Sequence, residues 1–212
     1  VLVCGDLDQL PPVLDKPAYL YTGKVHRLTK IMRQAQFSSI IEISNLLRNG
    51  HTPKIGDYGD VLVIPRSNLV NEMIMASDSI ICGTNRTREY FNNYIRSDLF
   101  GFKTKLPQYG EKLVCRKNNW HIEVDGINLA NGLSGRVSSP TSISKFDGVK
   151  FKINFVPDLF PDIVFEDIEC DYQYFIADFK ARRQMKSMMN MAYGDTGEKF
   201  EYGYSITTHM SQ

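Results

Sequence analysis

Ile80-Ile81-Cys82-Gly83-Thr84-Asn85-Arg86 is the stretch on which the fold turns. Ser79 to Cys82 reads as a short apolar strand, Gly83-Thr84-Asn85 as a turn, and Arg86 to Leu99 as the helix that follows. A polar turn at a strand's carboxyl edge, followed by a helix N-terminus, presents free N–H groups to an anion. The same residues also suit ordinary helix capping by Thr or Asn, and both readings stand at this point. Working upstream, Val61 to Ile64 is a strand. Ser39-Ile40-Ile41-Glu42 is a capping-box pattern opening a helix with apolar positions Ile40, Ile43, Leu46 and Leu47, and Gly50 stands at its C′ position. Val1 to Cys4 is a fully apolar strand, and Gly5-Asp6 follows where open α/β sheets place ligands. This strand–turn–helix succession predicts a parallel α/β layer.

Downstream of Pro107 the texture changes. Short strands rich in Val, Ile and Phe are separated by Asp125-Gly126, Asn131-Gly132, Asp147-Gly148 and Pro157-Asp158, all turn or hairpin signals. This pattern predicts a small all-β unit, a barrel, inserted into the α/β domain and running to about Ile176. Ala177 to Ala192 is a basic, Met-rich helix, and Glu201 to Thr208 returns to strand.

Bulk properties set limits. The 212 residues suffice for one good core, or one core and a satellite. A net charge of +1 shows no global bias toward a polyanion, so any nucleic-acid surface is a local patch. The cysteines Cys4, Cys82, Cys115 and Cys170 are dispersed and form no CxxC pair; three lie in apolar runs, as buried thiols of a reducing compartment do. The dispersed histidines offer no structural zinc site. With no membrane-spanning run and no signal peptide, the expected location is cytoplasmic and no membrane partner is expected. Because Val1 opens an apolar strand, the chain is expected to be part of a longer one.

Five constellations carry the functional reading. Gly5-Asp6-Leu7-Asp8-Gln9-Leu10-Pro11-Pro12-Val13 puts a carboxylate and an amide at the sheet's ligand edge, and an amide both donates and accepts. Singly these residues fit a solvated, Pro-terminated turn. As nine ordered residues they resemble the coupling motif of superfamily 1B helicases of the RecD type, the exonuclease V alpha subunit-like group. The resemblance implies that Gln9 senses the γ-phosphate and that Asp6 lies at the nucleotide. Leu28-Thr29-Lys30-Ile31-Met32-Arg33-Gln34 matches the Arg-Gln pair of that family, implying an arginine finger at Arg33 with Gln34 beside the nucleotide. Thr84, Asn85 and Arg86, with Arg88 and Asn92 beyond them, resemble the family's segment near single-stranded DNA.

Lys117-Asn118-Asn119, then Asn131-Gly132-Leu133-Ser134-Gly135-Arg136-Val137, resembles the family's inserted SH3-like barrel, with Asn118 on the nucleic-acid side. Most of these residues also fit barrel strands with hairpin glycines. Trp120, the one tryptophan, suits a barrel core or rim better than base stacking. Tyr202 to Gln212 resembles the family's run into His-x-Ser-Gln, implying nucleic-acid contacts at Thr208, His209 and Ser211. The cluster Lys180, Arg182, Arg183, Lys186 reads first as a solvated helix face and second as a phosphate-tracking patch. No GxxxxGK[S/T] loop is present, and Gly194 to Lys199 has the wrong spacing.

The resemblance thus implies an α/β fold with a RecA-like parallel-sheet domain of the P-loop NTPase type, the second motor domain, carrying an inserted small SH3-like β-barrel. It divides the chain into residues 1–17 (end of the first RecA-like domain), 18–106 (second domain), 107–198 (barrel with helical extension) and 199–212 (return strand). It implies the C-terminal part of an ATP-dependent 5′–3′ DNA helicase, with ATP and Mg²⁺ held mainly by sequence preceding Val1, and the 212 residues alone inactive as an ATPase. Single-stranded DNA would be the substrate, and nuclease or recombination subunits the partners. Two other readings are a non-catalytic single-stranded nucleic-acid-binding module and an RNA helicase of the same superfamily.

Overall fold

The structure, a computed structural model, describes residues 26, 38–138, 142–143, 150–192 and 198–208. The expected strand Val1–Cys4 and the turn Asp147-Gly148 lie outside them. The chain divides into two compact units, Val1–Met73 and Ile74–Gln212.

In the first unit, helix α1 (Ser39–Arg48) is capped by Ser38, whose hydroxyl accepts the Ile40 N–H at 3.2 Å. The capping box expected at Ser39 and Glu42 is therefore displaced by one residue. Ser38 has the extended backbone a cap needs (φ −70°, ψ 134°), and its hydroxyl also donates to Asp60 at 3.0 Å. The Ser39 hydroxyl donates instead to the Tyr58 carbonyl. The helix stops as expected. Gly50 takes φ +77°, its N–H reaches the Leu47 carbonyl at 3.0 Å, and His51 N–H reaches Leu46 at 2.9 Å, satisfying two carbonyls of the last turn. A two-residue hairpin follows, β1 (Gly56–Asp57) against β2 (Leu62–Val63), and then a 3₁₀ turn at Arg66–Asn68. Helix α2 spans Asn71–Ala76.

The second unit opens with β3 (Ile80–Cys82) and α3 (Asn85–Tyr94), which continues as one π-type turn over Ile95–Leu99. The remaining elements are β4 (Lys112–Cys115), β5 (Asn119–Val124), β6 (Ile127–Leu129), β7 (Ser134–Val137), β8 (Ser142–Ile143), β9 (Lys150–Pro157), β10 (Phe165–Asp171), α4 (Tyr172–Ile176), α5 (Phe179–Ala192), β11 (Phe200–Tyr202) and β12 (Ser205–Thr207). Strands β10, β9, β7, β4 and β11 neighbour one another in that order, all antiparallel, with β8 also on β9. The two ends of this path meet. Asp171 N–H donates to the Glu198 carbonyl (2.9 Å) and Glu198 N–H to the Glu169 carbonyl (2.7 Å), a single parallel bridge between β10 and the lead-in to β11. Hairpin β5–β6 turns at Asp125-Gly126, both in the left-handed region as this two-residue turn requires.

Along β9 burial alternates strictly, with Phe151, Ile153, Phe155 and Pro157 inside. Phe151, Ile153 and Phe155 pack with Leu113, Phe165, Phe175 and Phe200 into one core, and rings Phe155 and Phe200 meet edge to face at 5.0 Å. Each such buried phenylalanine contributes about 1.5–3 kcal/mol. Gly135 sits where β7 crosses β9 so closely that a Cβ would lie 2.2 Å from the Val156 carbonyl and 2.7 Å from the Phe155 ring. Gly135→Ala should therefore cost about 1–3 kcal/mol or more, since backbone rather than a flexible side chain must yield. Urea unfolding checks this; an unchanged midpoint would show that the strands can part freely.

The expected single strand Glu201 to Thr208 is in fact two. β11 closes the antiparallel sheet, while β12 pairs in parallel with β3, with Ser205 opposite Ile80 and Thr207 opposite Cys82. Gly203 makes the transfer, its N–H donating to the Lys112 carbonyl at 2.9 Å, and a Cβ there would lie 3.0 Å from the Leu113 carbonyl carbon. Apart from the isolated Cys170–Glu198 bridge, β3–β12 is the one parallel strand pair among the described residues, and α3 packs on it.

Candidate nucleic-acid interface

The pairing of β3 with β12 brings two sequence-predicted segments to one edge. The Thr208 N–H donates to the Cys82 carbonyl at 3.0 Å, so Gly83-Thr84 and Thr208 emerge side by side at the carboxyl ends of adjacent parallel strands. Thr84 caps α3, its hydroxyl accepting the Thr87 N–H at 3.2 Å and sharing a 2.9 Å hydrogen bond with the Thr87 hydroxyl. The capping and the phosphate readings of this turn are therefore not exclusive: the cap holds the loop, and Thr84 and Arg86 remain exposed, with Asn85 and Thr208 half-buried.

One feature of this edge escaped the sequence reading. Tyr90 lies one helical turn beyond Arg86 and Tyr94 another; Tyr90 is 56% exposed, and the two rings are stacked at 5.9 Å with planes 5° apart. The spacing of four from Arg86 was the available signal. An arginine followed by stacked tyrosines offers a phosphate contact and a base-sized aromatic platform on one helix.

The opposite face of α3 is polar and buried. Asn92 donates to the Tyr202 and Ser205 carbonyls, both at 3.1 Å, and accepts the Ser205 N–H at 2.8 Å, fixing the chain where it passes from one sheet to the other. Arg96 grips Glu111 with a two-pronged fork (2.7 and 3.0 Å) and lies 4.1 Å from the Tyr202 ring centroid. Arg88 is hydrogen-bonded to Glu201, which also faces Arg182 at 3.4 Å and Arg116 at 3.6 Å. Burial pushes the Glu201 carboxyl up, but Arg182, Arg88 and Arg116 together outweigh it and hold it below the ordinary range. Arg88 and Asn92, read from sequence as neighbours of the DNA segment, thus fasten the scaffold behind it.

The other expected site residues are dispersed. Asn118 is exposed, and its side chain accepts the Asn131 N–H at 2.8 Å, tying two loops together beside the start of β11. The contact shown for the Asn118 side chain is with Asn131, not with Thr84 or Thr208. Trp120 is 66% exposed on hairpin β5–β6 and belongs to no core, which corrects the core half of its expected role. In the basic helix, Lys180 and Arg183 are exposed, whereas Arg182 donates to the Tyr174 and Phe175 carbonyls as well as facing Glu201. Asp6, Gln9, Arg33, Gln34, His209 and Ser211 lie outside the described residues.

The described thiols Cys82, Cys115 and Cys170 are buried and free, and burial pushes the Cys115 thiol up to about 11, leaving it unreactive at neutral pH. Among the described residues no group of three or more His, Cys, Asp or Glu is placed to hold a metal ion, and no helix is long and apolar enough to cross a membrane. Compared with protein-family models and with curated proteins, the sequence gives no match to either.

Proposed function

We propose that this chain is the C-terminal part of an ATP-dependent DNA helicase of the RecD type, moving 5′ to 3′ on single-stranded DNA. The observation that supports the reading is the meeting of the Thr84–Arg86 turn with Thr208 at the carboxyl ends of β3 and β12. Two segments chosen separately from sequence as parts of a DNA track are neighbours in space, at the sheet edge where α/β folds take ligands. In this reading the antiparallel sheet is the inserted barrel, interrupting the α/β connection between β3–α3 and β12. Gln9 and Arg33 are this chain's contribution to an ATP site. The phosphate-binding loop and the carboxylate for Mg²⁺ come from sequence outside these 212 residues. Cytoplasmic location and recombination or nuclease partners belong to the same proposal.

Fluorescence anisotropy with a short single-stranded oligonucleotide tests it. With few phosphates neutralised, binding should be weak, and log K should fall with log salt at a slope of about −2 or shallower. Arg86→Ala should reduce that slope by about 0.7, one phosphate contact on a single strand. Tyr90→Ala should weaken binding by about 1–3 kcal/mol with little change in slope, because stacking releases no counterion. Absence of binding at low salt, or wild-type binding in both variants, would remove this edge from the DNA track.

A further inference from the structure

On the antiparallel sheet, hairpin β5–β6 and strands β9–β10 enclose an open hollow of about 610 Å³. Glu123, Glu166, Asp167, Glu169 and Glu198 line it, and Lys150 is the one lysine or arginine among its lining residues. Lys150 is already committed to Glu169 at 2.9 Å, a bond that holds the Glu169 carboxyl below the usual range. The excess of negative charge is built into the strands. The register of β5 shifts between Asn119 and Glu123 and that of β10 between Phe165 and Ile168, so both walls are bulged where they meet the hollow. In β10 the bulge turns Glu166 and Asp167 outward, Asp167 at φ +51° with its N–H donating to Asn154 at 2.8 Å.

Glu198 makes this more than an acidic surface. It is only 4% exposed yet lines the hollow. One carboxylate oxygen, Oε1, accepts from Asn119 at 2.7 Å and faces Lys117 at 3.7 Å. The other, Oε2, is buried without a hydrogen-bond partner. A buried carboxylate oxygen left unpaired carries an uncompensated desolvation cost, which a donor brought to it from the hollow would offset. The described carboxylates form no cluster able to grip a metal ion. They are spread around a wide opening, which suits an extended cation with several N–H donors better than a bare ion. The sign of the field repels nucleic-acid phosphates.

We propose that this hollow is a docking site for a basic segment of a protein partner, inserting an arginine or lysine side chain toward Glu198. The site is independent of the DNA reading, and its test stands apart from that one. Trp120, the chain's one tryptophan, is exposed on the hairpin that forms one wall and serves as the reporter. The full chain is titrated at low salt with acetyl-(Gly-Arg)₄-amide and, separately, with the same peptide carrying neutral citrulline for arginine. The arginine peptide should shift Trp120 emission saturably and the citrulline peptide should not. The double variant Glu166→Gln, Asp167→Asn should bind the arginine peptide about fivefold more weakly or worse. Both positions are exposed and asparagine tolerates the left-handed backbone, so circular dichroism should be unchanged. Equal response to the two peptides, no response, or unchanged affinity in the double variant overturns the proposal. So does a single-stranded oligonucleotide that shifts Trp120 more strongly than the arginine peptide.

Discussion

On the helicase proposal, replacing Arg33 with alanine in the intact protein is expected to lower DNA-stimulated ATP turnover by at least about a hundredfold, with nucleotide affinity changed far less. Arg33 precedes α1 by a few residues in the sequence, in the Leu28–Gln34 motif. In the proposed reading it is presented across the cleft to phosphates bound on the other RecA-like domain. A guanidinium that reaches the γ-phosphate only when the cleft closes stabilises the transition state more than bound ATP, so its loss falls on turnover. Arg33→Lys should rescue poorly, because a point charge does not reproduce the planar fork. A surface arginine making one ion pair would instead give a small stability change and near-normal turnover. Steady-state ATPase at saturating DNA, beside binding of a fluorescent nucleotide analogue, separates the two. Near-wild-type turnover in a folded Arg33→Ala protein would refute the finger and, with it, the motif alignment behind the helicase proposal.

Features governed by a few adjacent residues were legible in the sequence. Gly50 ends α1, Asp125-Gly126 turns β5 into β6, and Ile80 to Leu99 is strand, turn and helix, because each depends on local backbone sterics and capping. The cap of α1 was misplaced by one residue because Ser38 and Ser39 are chemically equal. The choice was made by Asp60 and Tyr58, 22 and 19 residues away in sequence from Ser38 and Ser39. Longer-range features were not legible at all. The run Glu201–Thr208 looks like one strand, yet Asn92, in α3, divides it between two sheets. Of the site, the turn at Thr84 was legible as a strand–turn–helix junction, whereas its meeting with Thr208 came only from the pairing of β3 with β12, and the Tyr90–Tyr94 stack from which face of α3 is buried. The acidic hollow draws its carboxylates from three separate segments, and no window of sequence contains it.

The same long-range logic makes Glu201 the position where the smallest change should cost most stability. The residue is 5% exposed, and its carboxylate is bonded to Arg88, lies within 3.4 Å of Arg182 and 3.6 Å of Arg116, and accepts the Tyr174 hydroxyl at 3.1 Å. Burial, then the adjacent Glu201 charge, pushes that hydroxyl up to about 12, so it stays a donor at any working pH. Glu201→Gln preserves volume and one acceptor but removes the carboxylate that, among the described residues, Arg88, Arg116 and Arg182 share, and Arg88 is only 2% exposed. Stranding a buried charge in this way costs about 3–5 kcal/mol, about 10 °C in melting temperature for a domain of this size. Glu169→Gln, which removes an exposed pair with Lys150, should cost less than about 1 kcal/mol. The pH dependence gives an independent check. Because the Glu201 carboxyl is held below its ordinary range in the folded state, its contribution is complete above the unfolded value, about pH 4.3, and is lost as pH falls through that value toward the folded one. The gap in urea midpoint between wild type and Glu201→Gln should therefore be widest at neutral pH and narrow below about pH 4. A cost under about 1 kcal/mol at pH 7, or a gap that does not change on acidification, would mean that the arginines are held by packing and not by this carboxylate.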